Sequence, residues 1–279
     1  MEKLKAILDI NGNYILICLL VVFYTMEQLL NTSFKFKNRS QHLFQNLLFQ
    51  ATFVVANYFF AMLLVLCVGW LNENRVGLLY LVQIPYWLKL ILSVALVDMT
   101  TYWFHRMAHR IPLLWRLHRI HHSDTSVDAS TALRAHPIEV LVFGTSNIVA
   151  VGLFGLDFIG LGLYFLIVIP VFLLQHTNVQ FPRWIDTAFG WIFVTPGYHK
   201  VHHEQNQYYT DSNYADIFVW DRLFGTYRSK PLNEIVYGLK EFDNDKMQSF
   251  LFQMKSPFIN IKRITPENLL KNDGQDHNL

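Results

Sequence analysis

Apolar residues gather along this chain in long blocks rather than at the short periods of a water-exposed globule. Residues 13–30 are nearly all apolar, although Glu27 interrupts the inner end. Ala51 to Leu71 runs without a formal charge, and a third apolar region covers 77–104, broken by Pro85 and Lys89, with Tyr86 to Phe104 as its expected span. A polar, histidine-rich stretch follows. Residues 138–155 and 157–175 then form two further apolar runs that part at Gly155, a pattern that predicts a tight helical hairpin. A membrane-spanning helix needs roughly 20 mostly apolar residues. The pattern therefore predicts an all-α, polytopic membrane protein with four to five transmembrane helices and a helical, histidine-rich cap. After His176 the chain turns amphipathic and then polar.

No internal repeat or low-complexity linker divides the chain. The expectation is one membrane-embedded domain over 1–279: N-terminal spans at 1–104, a first histidine region at 105–137, a transmembrane hairpin at 138–175, a second histidine region at 176–230 and a polar tail at 231–279. Lys3 and Lys5 precede an apolar run as in a secretory signal, but no small-residue cleavage site follows, so that run is expected to stay as a first span. Composition agrees with the membrane assignment: 52% of the residues are hydrophobic and only 16% charged, against about a quarter charged in a soluble globule. A net charge of +2 is too small to call for a nucleic-acid partner. Cys18 and Cys67 both lie in apolar runs and define no disulfide framework. Lys35, Lys37, Arg39, Arg106, Arg110, Arg116, Arg119 and Arg134 would share one face of the membrane, against Lys3, Lys5, Arg75 and Lys89 on the other. That bias places the histidine side in the cytoplasm.

Of the 12 histidines, ten lie between His105 and His203. Eight form three clusters: His105 and His109; His118, His121 and His122; His199, His202 and His203. Spacings of three and four residues put side chains on one helix face. Pro112 suits the first turn before the second cluster, and Thr195-Pro196 reads as N-cap and first helical residue before the third. Eight imidazoles exceed what one metal takes, since zinc accepts four ligands, so the spacing calls for two metals without naming them. His136 and His176, close to the expected membrane surface, are further candidates. Carboxylates that receive the distal ring N–H groups would temper the positive charge of such a centre. Asp98, two helical turns before His105, is the best placed; Asp124, Asp128, Glu139 and Asp221 are weaker candidates. His42 and His277 are assigned structural hydrogen bonds, and the arginines between the histidines are assigned to the interface and topology.

Asp98-Met-Thr-Thr-Tyr-Trp-Phe-His105-Arg-Met-Ala-His109, Leu114-Trp-Arg-Leu-His118-Arg-Ile-His121-His122-Ser and Arg134-Ala-His136-Pro-Ile-Glu139 resemble the fatty acid hydroxylase/sterol desaturase superfamily of membrane di-iron oxygenases. So do His176-Thr-Asn178, Thr195-Pro-Gly-Tyr-His199-Lys-Val-His202-His203, and Asp211-Ser-Asn213-Tyr through Trp220-Asp221-Arg222-Leu-Phe-Gly225-Thr. The likeness covers about residues 86–228. It implies two iron ions held by the eight clustered histidines, with His136 and His176 completing the set, and Asn178, Asn213, Asp98 and Asp221 behind them. It further implies O2 as co-substrate, a lipid substrate that is hydroxylated or desaturated, and a separate electron donor such as cytochrome b5 or a ferredoxin, because no such domain is fused. Two other classes compete. A metal transporter would carry its site near the bilayer midplane on broken helices, whereas these histidines sit at a boundary. A bis-histidine haem protein would need facing histidines on separate spans instead of triplets.

Overall fold

A computed structural model describes residues 12–30, 32, 38–242 and 244–264. Lys3, Lys5, Lys35, Lys37 and His277 lie outside the described residues. The chain is helical, and among the described residues strand pairing is limited to isolated bridges. Helix α1 covers Gly12–Leu29, α2 Arg39–Glu73, α3 Tyr86–Arg110, α4 Pro112–His122, α5 Val140–Phe154 and α6 Phe158–His176. Four segments are long and apolar enough to cross a membrane: Arg39–Tyr80, Tyr86–Arg110, Pro137–Phe154 and Phe158–His176; α1 is a shorter apolar helix.

Helix α2 begins well before the charge-free run at Ala51. Its 35 residues make a rod of about 52 Å, longer than the roughly 30 Å of bilayer hydrocarbon. The surplus is the polar N-terminal part, where Asn38 caps the helix and His42, Asn46 and Gln50 point into the cap region. Farther along, Val55, Tyr58, Phe59, Met62 and Leu66 recur at helical spacing and are exposed, as a lipid-facing stripe requires.

Helix α3 is the axis of the bundle: α5, α6 and α4 all pack on it. Val68, Val94, Val97, Ala150, Val151, Leu161 and Tyr164 form the buried core between these helices. Helices α5 and α6 reverse at Gly155, which has φ of 72° and caps α5 in the left-handed region. Gly77 approaches so closely that a Cβ there would collide with the Gly155 backbone. Each arm of the reversal packs mainly on α3 rather than on the other, because α3 fills the space between them.

At the other end, α3 runs through His105 and His109 without a break, so the first cluster rides on the tip of a spanning helix. Ile111 is extended and Pro112 starts α4, which turns the chain across the bundle end. Short helices complete the cap, among them α7 Arg183–Phe189, α8 Pro196–His202 and α9 Gln207–Thr210. The Thr195 side chain accepts from the Tyr198 N–H at the start of α8, as its sequence predicts. Arg119 is buried rather than interfacial; it donates to the Ser256 carbonyl at 2.5 Å and to Ile261 at 2.9 Å, fastening the C-terminal segment over α4.

Candidate metal centre

Nine histidines meet inside this cap, all at most 5% exposed. They sort into two groups, within each of which one ring nitrogen per residue lies within 4.8 Å of the others: His105, His109, His118, His122 and His202, and next to them His121, His176, His199 and His203. The division follows helix geometry. Residues four apart face the same way, so the pairs 105/109 and 118/122 enter the first group and 199/203 the second. The odd member of each triplet turns to the other side, His121 to the second group and His202 to the first. His176, at the end of α6, completes the second group. His122 and His203 stack where the groups abut, with ring centroids 4.7 Å apart.

The outward nitrogens fix which way the lone pairs point. His105 Nδ1 lies 2.7 Å from the Tyr214 carbonyl and His202 Nδ1 2.6 Å from that of Ser212. A carbonyl only accepts, so each Nδ1 carries the proton and each Nε2 presents a lone pair. Those two Nε2 atoms face each other at 3.0 Å. In the second group, His176 Nδ1 donates to the Phe172 carbonyl, and its Nε2 lies 3.1 Å from the Nε2 atoms of His121, His199 and His203. One lone pair cannot accept three protons at that spacing. Burial pushes His202 down to about 3, and burial with the neighbouring imidazoles pushes His121, His122, His199 and His203 well down. Neutral imidazoles with inward lone pairs are the donor set of a metal cation. For metal–nitrogen bonds of about 2.1 Å, adjacent ligands at right angles sit about 3.0 Å apart, which matches the 3.0–3.2 Å spacing here. The residues fit two metal ions.

Two carboxylates stand behind the first group. Glu139 is buried and its Oε1 accepts from His118 Nδ1 at 2.5 Å; Asp211 accepts from His109 Nδ1 at 3.3 Å and pairs with Arg263 at 2.7 Å. Glu139 was the weaker candidate by sequence. Asp98, the favoured one, touches no imidazole: it accepts from the Ile217 and Phe218 amides and from Trp220 Nε1 at 2.8–3.1 Å, anchoring the 215–220 loop on α3. Asp221 acts one step farther back. It accepts from the Tyr214 and Ala215 amides, Tyr198 and Thr226, and so holds the loop whose carbonyl holds His105. Asn213, with φ of 54°, ties the same loop to the Tyr198 carbonyl and to Arg228. Asn178 donates its backbone N–H to Glu27.

His136 belongs to neither group. Its Nδ1 accepts from the Ile138 amide and caps the short turn Pro137–Glu139, while Nε2 faces the Met254 carbonyl. Both nitrogens are committed, so it has no lone pair for a metal. Asp124 and Asp128 likewise face His42 and not the centre. Asp211 carried no spacing signal, and the backbone acceptors at Phe172, Ser212 and Tyr214 have no side-chain signature.

A cavity of about 240 Å³ opens against both groups. His105 and His118 of the first and His121 of the second form one wall, and Phe53, Ala132, Ala135, Phe143 and Phe172 supply apolar walls. Glu139, Gln50 and Asp216 also line it. Burial, reinforced by Asp98 and Asp221, pushes the Asp216 carboxyl well up.

Fold and site together define a polytopic helical protein with two adjoining groups of buried histidines, each able to hold a metal ion, at one end of its spans. Residues 90–226 match the fatty acid hydroxylase family model, and this region of the chain is a fatty acid hydroxylase domain. Human alkylglycerol monooxygenase is 35% identical over 153 residues, covering 51% of this chain and 31% of that protein. A very-long-chain aldehyde decarbonylase of Oryza sativa is 31% identical over 155 residues, 54% of this chain and 58% of its own. A putative methylsterol monooxygenase of Dictyostelium discoideum is 30% identical over 146 residues, 52% and 53% of the two chains. The matched region thus spans less than two thirds of each of these relatives. No solved structure matches the chain.

Proposed function

We propose that this protein is a di-iron membrane oxygenase that hydroxylates a lipid, with nine histidines as the metal ligands: His105, His109, His118, His122 and His202 on one ion, His121, His176, His199 and His203 on the other. The observation that carries this reading is the 3.0 Å approach of the His105 and His202 Nε2 lone pairs, both tautomers being fixed by backbone carbonyls. Five imidazoles on one ion exceed the four-coordination of structural zinc, and imidazole suits iron. An iron pair there supplies O2-dependent oxidation of a C–H bond.

The chain's own contribution is placement. Tyr214, Ser212, Glu139, Asp211 and Phe172 orient the rings, and Phe143 and Phe172 keep water from the open side of the centre. The cavity between α2, α5 and α6 brings one carbon of an apolar chain to His105, His118 and His121. Relatives named for alkylglycerols, very-long-chain aldehydes and methylsterols support a lipid substrate, and two of the three are named monooxygenases. The whole chain works as one membrane-embedded domain with its histidine end in the cytoplasm, supported by Arg106, Arg110 and Arg116 at that end against Arg75 and Lys89 at the other. Electrons come from a separate donor protein.

Comparing lipid extracts of cells with and without the gene by mass spectrometry, together with iron analysis of purified protein, tests this reading. The expected result is about two irons per chain and a lipid that gains one oxygen atom only when the gene is present. A fully metallated preparation with one ion, or identical lipid profiles, would overturn it.

A further inference from the structure

The cavity beside the histidines is apolar except for its metal-facing wall, Gln50 and two acids. One acid is half committed: Glu139 Oε1 holds His118, while Oε2 is buried without a partner. The other, Asp216, is 8% exposed and lines the cavity. Its backbone is clamped on every side. Gln175 donates to its carbonyl, and the flanking Ala215 and Ile217 amides are held by Asp221 and Asp98 at 2.9 and 3.1 Å. Its own carboxyl group nevertheless makes no hydrogen bond among the described residues. A buried acceptor left unmet costs free energy that a ligand can recover by donating to it. No lysine or arginine lines the cavity, so no cationic side chain of the lining stands beside those two acids to pair with an anionic head.

We propose that Asp216 receives the hydroxyl of the substrate, and that the cavity selects neutral, alcohol-bearing lipids over fatty-acid anions. The proposal rests on the cavity being the substrate site of the reading above. It does not depend on the protonation state of Asp216, because a carboxyl oxygen accepts an O–H in either form.

Binding of radiolabelled hexadecanol to the purified full chain, competed by hexadecyl methyl ether and by palmitate, tests it with one chain length and three heads. The expected order is alcohol tightest by several-fold, ether next and palmitate weakest. Asp216→Ala is expected to bind alcohol and ether alike while its metal content stays that of the wild type. Asp216→Asn, whose amide can also donate to an ether oxygen, narrows the gap and serves if the alanine variant fails to fold. Equal affinity for alcohol and ether in the wild type, palmitate as the tightest ligand, or an unchanged preference in both variants overturns the proposal. Metal content and O2-dependent product are read on the same preparations. A protein that ranks the ligands as stated but oxidises none keeps this inference and loses the oxygenase reading; an active enzyme indifferent to the hydroxyl does the reverse.

Discussion

Two buried polar networks lie side by side in this cap, and they differ in one respect. Around His42, each carboxylate meets a donor or a cation: Asp124 faces His42 at 2.9 Å and accepts from Thr131, Asp128 accepts from Ser130 and lies 3.7 Å from Arg39, and Glu27 pairs with Arg39 and accepts from the Ala129 and Asn178 amides. Around His105, imidazole lone pairs face one another with no proton between them. Burial and ionisable side chains are common to both networks, so neither marks a functional site. What marks it is the unpaired convergence, since buried polar groups in folded proteins are otherwise matched. The first network closes the contact between α1, α2 and the loop after α4; the second is a donor set able to hold metal ions.

Substitutions can separate the two. The largest effect is expected from His202→Ala or His121→Ala, each removing one ring from a different group: product formation falls below detection and metal analysis shows the affected ion lost, at little change in helicity by circular dichroism. Glu139→Ala leaves the His118 ring without its acceptor, and should lower metal affinity or turnover about 10–100-fold, read by chelator competition. Asp128→Ala breaks a partner of Arg39 and His42 in the other network. It should cost about 3 kcal/mol, seen as a lower melting temperature in detergent, with metal per folded chain unchanged. Metal loss in that variant would show that the networks are coupled. The smallest effect concerns acid. Burial opposes ionisation of Asp124, but His42 and Arg134 outweigh it and hold its carboxyl well below the ordinary carboxylate range. Its contribution to stability is therefore present above about pH 3.9, the unfolded value, and is lost as the pH falls below that. Asp124→Asn should flatten that part of the melting-temperature profile.

Much of this was legible beforehand. The spans are visible because a lipid-facing helix must be apolar over its length, and the gathering of the eight clustered histidines follows from their helical spacing. Pro112 and Thr195 marked the starts of α4 and α8 for local steric and hydrogen-bonding reasons. The outer contacts were not legible. Asp98 sits at the right helical spacing from His105, yet spacing along one helix cannot reveal that the 215–220 loop would claim both of its oxygens first. His136 lies beside Pro137, where a capping bond to the Ile138 amide takes its lone pair. The wedge of α3 between α5 and α6 is a matter of three-body packing, which a pairwise sequence pattern does not encode. Nor does a sequence show backbone carbonyls, which supply three of the acceptors that orient the rings.

Asn213 is one of two non-glycine residues with positive φ among the described residues. Asn tolerates this conformation better than most side chains, and the kink lets the carbonyls on either side of it, Ser212 and Tyr214, reach two rings that come from helices 97 positions apart in the chain. His105 and His202 thus hang from a common bracket. The spacing of the two rings is thereby set by the carbonyls on either side of Asn213 as well as by the packing of the spanning helix against the cap.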